Sequence, residues 1–169
     1  VKLFDKTEDV TNEYLSINNI LSHFNKDIEE SEKPKLKSGN ITQKVNDNLL
    51  NIELSILSKY SQKCTIDIRF FDHLGINIGF GSLGTFNSKQ KAILEPGINK
   101  FFINVPTNYF AEGNFFLSID LIEPWVEYFD RVENCLSFEI VKPNINNNDR
   151  VLQQNWNYGS FQIPIEYTN

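Results

Sequence analysis

Apolar and polar residues alternate with a period of two over most of the chain. Leu50, Ile52, Leu54 and Ile56 are interleaved with Asn51, Glu53 and Ser55, and Ile66, Ile68 and Phe70 with Thr65, Asp67 and Arg69. The rhythm returns in Phe115, Leu117, Ile119 and Leu121 against Phe116, Ser118, Asp120 and Ile122, and again in Leu136, Phe138 and Ile140. Successive side chains of an extended strand point to opposite faces, so each stretch predicts a strand with one face turned to a core. Turn signals separate further strands: His73-Leu74-Gly75 leads into 76–80, and Glu95-Pro96-Gly97 divides 91–94 from 100–105. A polar stretch with four Asn, 142–150, precedes a last expected strand over 161–167. Seven or eight short strands in this order predict an antiparallel β-sandwich.

The beginning of the chain differs in kind. Val10, Tyr14, Ile17 and Leu21 recur at helical spacing, and a charged run, 26–33, ends at Pro34. This predicts a short helix and a linker over 1–33, with the sandwich over 34–169 and Lys35 to Thr42 as its first candidate strand. The chain contains no Met, so it reads as the C-terminal part of a longer protein.

Composition narrows the function classes. Sixteen Lys and Arg stand against 22 Asp and Glu, for a net charge of -6, with no basic stripe; nucleic acid is not an expected partner. No apolar run is long enough for a transmembrane helix. Cys64 and Cys135 sit in apolar contexts as small buried residues, which fits a reducing compartment. Gly79-Phe80-Gly81-Ser82-Leu83-Gly84 matches a dinucleotide fingerprint but precedes no convincing helix, so a glycine-rich hairpin or bulge is expected. His23 and His73 lack partners at metal-ligand spacing, and Asp72 reads as turn chemistry.

The outward faces of the strands carry Glu53, Ser55, Asp67, Arg69, Ser118 and Asp120, short polar and bidentate groups suited to hydroxyl-rich ligands. Trp125, Tyr128 and Phe129, after Pro124, and Trp156 with Tyr158 are candidate platforms for the C–H face of a sugar, or else core plugs or interface. The expected carbohydrate-binding residues are Asp67, Arg69, Asp120, Trp125, Tyr128 and Trp156. Two other readings stay open: a hydrolase or transferase using two of Asp67, Asp120, Glu127, Asp130 and Glu133, and a purely structural dimerisation domain.

Three runs carry a family resemblance: Ala111 to Ile119, Tyr128-Phe129-Asp130-Arg131-Val132, and Leu136-Ser137-Phe138-Glu139-Ile140. With Asn155-Trp156-Asn157-Tyr158-Gly159, Ile163-Pro164 and Phe71-Asp72-His73-Leu74-Gly75, they resemble the C-terminal carbohydrate-binding domain of Wzt-type ATPase subunits of O-antigen polysaccharide ABC transporters. Asn114 stands where that family usually has Tyr. Lys6 to Leu15 resembles the last helix after the nucleotide-binding domain. The resemblance implies an immunoglobulin-like or jelly-roll sandwich that recognises a completed polysaccharide without altering it, at the cytoplasmic face of the inner membrane. It also implies a homodimer that exchanges 159–167 across a hinge at 142–150, a transmembrane transporter subunit as partner, and ATP and Mg held only by an upstream domain.

Overall fold

Each alternating stretch is a strand in the computed structural model, which describes residues 21–29, 31–44, 48–142, 150–156 and 158–165. The strands are β1 (His23–Asn25), β2 (Lys35–Lys44), β3 (Leu49–Ser58), β4 (Gln62–Phe71), β5 (Asn77–Leu83), β6 (Ala92–Leu94), β7 (Gly97–Pro106), β8 (Gly113–Glu123) and β9 (Glu127–Ile140). They form two antiparallel layers, one ordered β1-β2-β3-β7 and the other β5-β4-β8-β9, with β6 on the edge of β4. The predicted antiparallel sandwich is the fold.

The core lies where the period-two pattern places it. Leu50, Ile52, Leu54 and Ile56 of one layer face Ile66, Phe115, Leu117, Ile119 and Leu136 of the other, all fully enclosed. Each such side chain contributes about 1.5–3 kcal/mol on leaving water. One flank of the sandwich is tied shut by Asp130 of β9, whose Oδ2 accepts from Leu36 N at 2.8 Å and from Lys26 Nζ at 3.0 Å. Glu127, Asp130 and Asp120 are thus spread along one edge and face, not gathered in one cluster.

The other flank is open between the edge strands β5 and β7. The inward positions of β5 opposite Phe70 and Ile68 are Gly79 and Gly81, so at these two positions the strand sends no side chain into the gap, Leu83 opposite Ile66 being its next inward side chain, and an apolar slot of about 380 Å³ remains. Phe161 enters it, its ring 4.5 Å from that of Phe110. This is the structural role of the glycine-rich motif. The chain beyond the motif forms a single 3-10 turn, Ser88–Gln90, with no helix to hold a phosphate.

Three expectations are revised or fall elsewhere. The strand expected over 161–167 is reduced to one bridge, Phe161 to Phe110. Gln162 N still donates to Tyr109 O at 2.7 Å beside that bridge, residues 163–165 continue outside any strand, and 166–169 lie outside the described residues. The helix expected near the start also lies outside them, as does most of the polar stretch 142–150. Among the described residues, β1 pairs with β2, with Phe24 opposite Gly39. Asp72 is turn chemistry as expected: its Oδ1 accepts from Leu74 N and Ile76 N, both at 2.9 Å.

Candidate functional site

The outer face of the β5-β4-β8-β9 layer gathers five of the six expected binding residues. Asp67 on β4 stands directly opposite Asp120 on β8, and Asp120 opposite Arg131 on β9. Two like charges side by side on a sheet destabilise it unless each is engaged, and here both are. Asp120 takes Arg131 Nε on Oδ1 at 2.8 Å and Arg69 Nη2 on the same oxygen at 3.3 Å, with Arg69 Nε 3.2 Å from Oδ2 in an ion pair too bent for a hydrogen bond. Asp67 accepts the Thr85 hydroxyl at 2.9 and 3.1 Å on its two oxygens. Each carboxylate is only 4% exposed. Asp120 is therefore an anchor beneath two guanidinium groups, and its hydrogen bond raises the already high pKa of Arg131 further.

Arg131 in turn stacks on Tyr128, its guanidinium carbon 4.2 Å from the ring centroid. In an unbroken strand, residues three apart point to opposite faces. A bulge at Phe129 corrects this: Leu121 pairs with Asp130 but Ile122 pairs with Tyr128, so Tyr128 and Arg131 share the outer face while Phe129 packs toward the core. A second bulge opposite Ser118 puts Asn134 at φ 46°, with its N–H donated to Ser118 Oγ at 2.9 Å.

Between β8 and β9 the chain makes a turn over 123–126, closed by Val126 N donating to Glu123 O at 3.0 Å. Pro124 occupies the second position, which suits its fixed φ, and Trp125 the third at φ 65°. A turn of this shape favours glycine there. An indole held in that region costs about 1–3 kcal/mol of backbone strain, and Trp125 is 98% exposed, so it regains almost nothing by packing.

Trp125 and Tyr128 form one wall of a cleft of about 390 Å³. Phe80 and Thr85 stand on the other side, Asp67 and Ile122 are at its base, and Glu123, Pro124, Val126 and Glu127 complete the lining. Phe80 is backed edge-on by the exposed Phe86, with ring centroids 5.8 Å apart. The volume lies within the range of small-molecule sites, and the pattern of apolar walls around a few placed polar groups is that of a ligand cleft. Glu123 pairs with Lys91 and Glu127 with Lys33.

Trp156 is not brought here. It lies in a 3-10 turn, Gln154–Trp156, next to the bridge between Glu112 and Gln153, beyond the opposite end of β8; ten residues of strand separate that end from Glu123, or roughly 34 Å. Glu53 and Ser55 belong to the other layer, where Glu53 pairs with Lys100 at 3.0 Å. The sequence pattern did not single out Phe80, Thr85, Phe86, Ile122, Glu123 or Arg131 as binding residues. The usable signal was the register of β4 with β5 and β8, which no single strand displays. Cys64 and Cys135 are buried, which pushes both thiols up to about 12. No group of three or more His, Cys, Asp or Glu among the described residues is arranged to hold a metal ion.

With this arrangement in view, one solved structure stands out. The C-terminal domain of Wzt matches with a TM-score of 0.60 over 87% of both chains, at 12% sequence identity. The fold is that of the Wzt C-terminal domain. At that identity the likeness concerns the path of the chain and not its side chains. A Bacteroides fragilis protein described as a β-galactosidase matches 67% of this chain and 15% of its own at a TM-score of 0.37, with 10% identity, too weak to carry an argument. No protein-family model matches the sequence, and no curated protein matches it. No helix among the described residues is long and apolar enough to cross a membrane.

Proposed function

We propose that the chain is a non-catalytic carbohydrate-binding module that recognises a completed O-antigen polysaccharide, at its terminus or in its repeat, for export by an attached ABC transporter. The supporting observation is Trp125, a fully exposed indole kept at a strained backbone position. A fold under selection for stability alone gains nothing from that residue, whereas a sugar ring gains a flat apolar face. The cleft beside it offers carboxylate acceptors, and the shared Wzt C-terminal fold supports the glycan-binding reading. Against hydrolysis by Asp67 and Asp120, both carboxylates are buried and occupied by internal partners, and Asp120 lies under two arginines, poorly placed to flank a glycosidic bond. The export setting carries with it a position at the cytoplasmic face of the inner membrane and ATP-dependent transport powered by an upstream domain.

The deciding experiment is isothermal calorimetry with the O-polysaccharide of the source organism, and then analysis of the recovered glycan. Saturable binding with an unchanged chain-length profile is expected; absence of heat at high concentration, or release of reducing ends, contradicts the proposal. We also propose that the protein works as a homodimer in which 159–167 is exchanged. Exposed Ile163 and Ile165 come after the slot-filling Phe161 on an extended segment without a ladder, which favours this reading. Deleting 159–169 is expected to abolish the dimer in sedimentation; an unaltered dimer counts against exchange.

A further inference from the structure

The cleft beside Trp125 has a one-sided chemistry. Its charged lining is Asp67, Glu123 and Glu127, with the Thr85 hydroxyl beside Asp67, and neither Lys nor Arg is among the lining residues. The Thr85 hydroxyl is spent on Asp67; apart from the neutral indole N–H of Trp125 and hydroxyl of Tyr128 at the ring edges, the polar groups that meet a ligand are carboxylate oxygens, which accept hydrogen bonds and cannot donate them. A carboxylate has about four acceptor sites. One salt bridge to Lys91 or Lys33 therefore leaves Glu123 and Glu127 with free lone pairs, while buried Asp67, engaged by Thr85 on both oxygens, adds its charge at the base of the cleft. Arg131 is stacked on Tyr128 with its Nε committed to Asp120, and it does not line the cleft.

Such a site distinguishes ligands by proton donation and by charge. A sugar hydroxyl satisfies it by donating into Glu123 or Glu127 while the ring lies against Trp125 or Tyr128. A carboxylate, phosphate or sulfate brings no donor and adds negative charge beside three carboxylates of which only two have a lysine, on a chain whose net charge is already -6. Partial enclosure by aromatic walls strengthens that repulsion relative to open water. We infer that the cleft takes uncharged sugar residues, whose hydroxyls donate into the carboxylates, and turns away residues carrying an acidic substituent. This rests on the glycan-binding reading above and specifies the ligand class within it.

The test is a glycan array containing neutral and acidic bacterial polysaccharides, then calorimetry of the strongest binder beside its C6-carboxylated form, at two NaCl concentrations. The expected result is a set of uncharged hits and binding of the carboxylated form at least tenfold weaker, with the gap narrowing at higher salt as repulsion is screened. Glu127→Gln removes one charge, keeps an acceptor and leaves Lys33 unpaired, so it should shrink the discrimination severalfold. Acidic glycans binding as well as or better than neutral ones, or an unchanged ratio in Glu127→Gln, overturns this inference while leaving the glycan reading in place. An array without a single hit overturns the glycan reading itself.

Discussion

Replacing Trp125 with glycine should make the protein more stable and a poorer binder at the same time. The backbone at 125 sits at φ 65°; relieving an L-residue of that conformation returns about 1–3 kcal/mol, and the extra freedom of glycine in the unfolded chain takes back about 0.5–1 kcal/mol. The indole is 98% exposed, so its loss removes almost no packing. The net gain is about 1 kcal/mol, which for a chain of 169 residues raises the thermal midpoint by about 2–4 °C. A sugar covering one face of the ring buries about a third of the roughly 200 Å² that an enclosed Trp contributes, worth about 1.5 kcal/mol or about tenfold in Kd. Trp125→Ala separates the two effects, since it removes the platform but keeps the strain: binding should fall as in the glycine variant while the midpoint stays within about 1 °C. Differential scanning calorimetry and glycan titration read both quantities. A glycine variant that melts several degrees lower, or that binds glycan as tightly as the parent, refutes the reasoning.

Arg131→Lys keeps the charge but loses the planar stack on Tyr128 and the Nε bond to Asp120; glycan affinity should drop about fivefold, equivalent to about 1 kcal/mol, with the far-UV circular dichroism unchanged. Two glycines of the same segment should respond in opposite directions under urea. A Cβ on Gly81 comes no nearer than 3.6 Å, to Phe70, so Gly81→Ala should stabilise by about 0.5–1 kcal/mol. Gly84, at φ +125° with Thr65 Oγ1 2.6 Å from the added carbon, should lose more than about 1 kcal/mol as Ala. The buried thiols, pushed up to about 12, hold their protons in the fold after the unfolded chain has released its own near pH ~8.5. Their contribution is complete below that pH and lost as pH rises toward about 12, at about 1.4 kcal/mol per pH unit per thiol. Urea midpoints from pH 8 to 10 should therefore decline, more gently in Cys64→Ala/Cys135→Ala, and a thiol reagent at pH 8 should react only as the protein unfolds.

The parts of the fold that were legible beforehand are those governed by a single rule. Where one face of a strand is buried and the pairing unbroken, alternation assigns every side chain, and Leu50 to Ile56, Ile66 to Phe70 and Phe115 to Leu121 obey it. The site breaks the rule. Tyr128 and Arg131 are an odd number of residues apart, and strict alternation separates them; only the bulge at Phe129 places them on one face. The segment 161–165 shows the converse failure. Its alternation is as clear as that of β3, but a strand needs an edge to pair with, and pairing partners are not written in local pattern. Trp156 and Trp125 looked equivalent as exposed-ring candidates, and only the length of β8 sets them apart.

Regular and irregular pairing are unevenly spread over the sandwich: the β2–β3 ladder has one shift, at Leu36 to Ser38, and the β3–β7 ladder none. β3 pairs with β7 through ten successive residues, Leu49 to Ser58, without a shift, and that ladder holds Leu50, Ile52, Leu54 and Ile56 in the core. The other layer contains two bulges in β9 and a tryptophan forced into a glycine's conformation, and the bulge at Phe129 and the tryptophan lie beside the cleft. Irregularities of this kind cost free energy, so they persist only where the surrounding sheet can carry the cost and where something other than stability is gained. The unbroken β3–β7 ladder holds the core in register while the β8–β9 end departs from the pattern, and the departures at Phe129 and Trp125 are what bring an exposed indole and a stacked tyrosine to the border of the cleft that Asp67, Glu123 and Glu127 line.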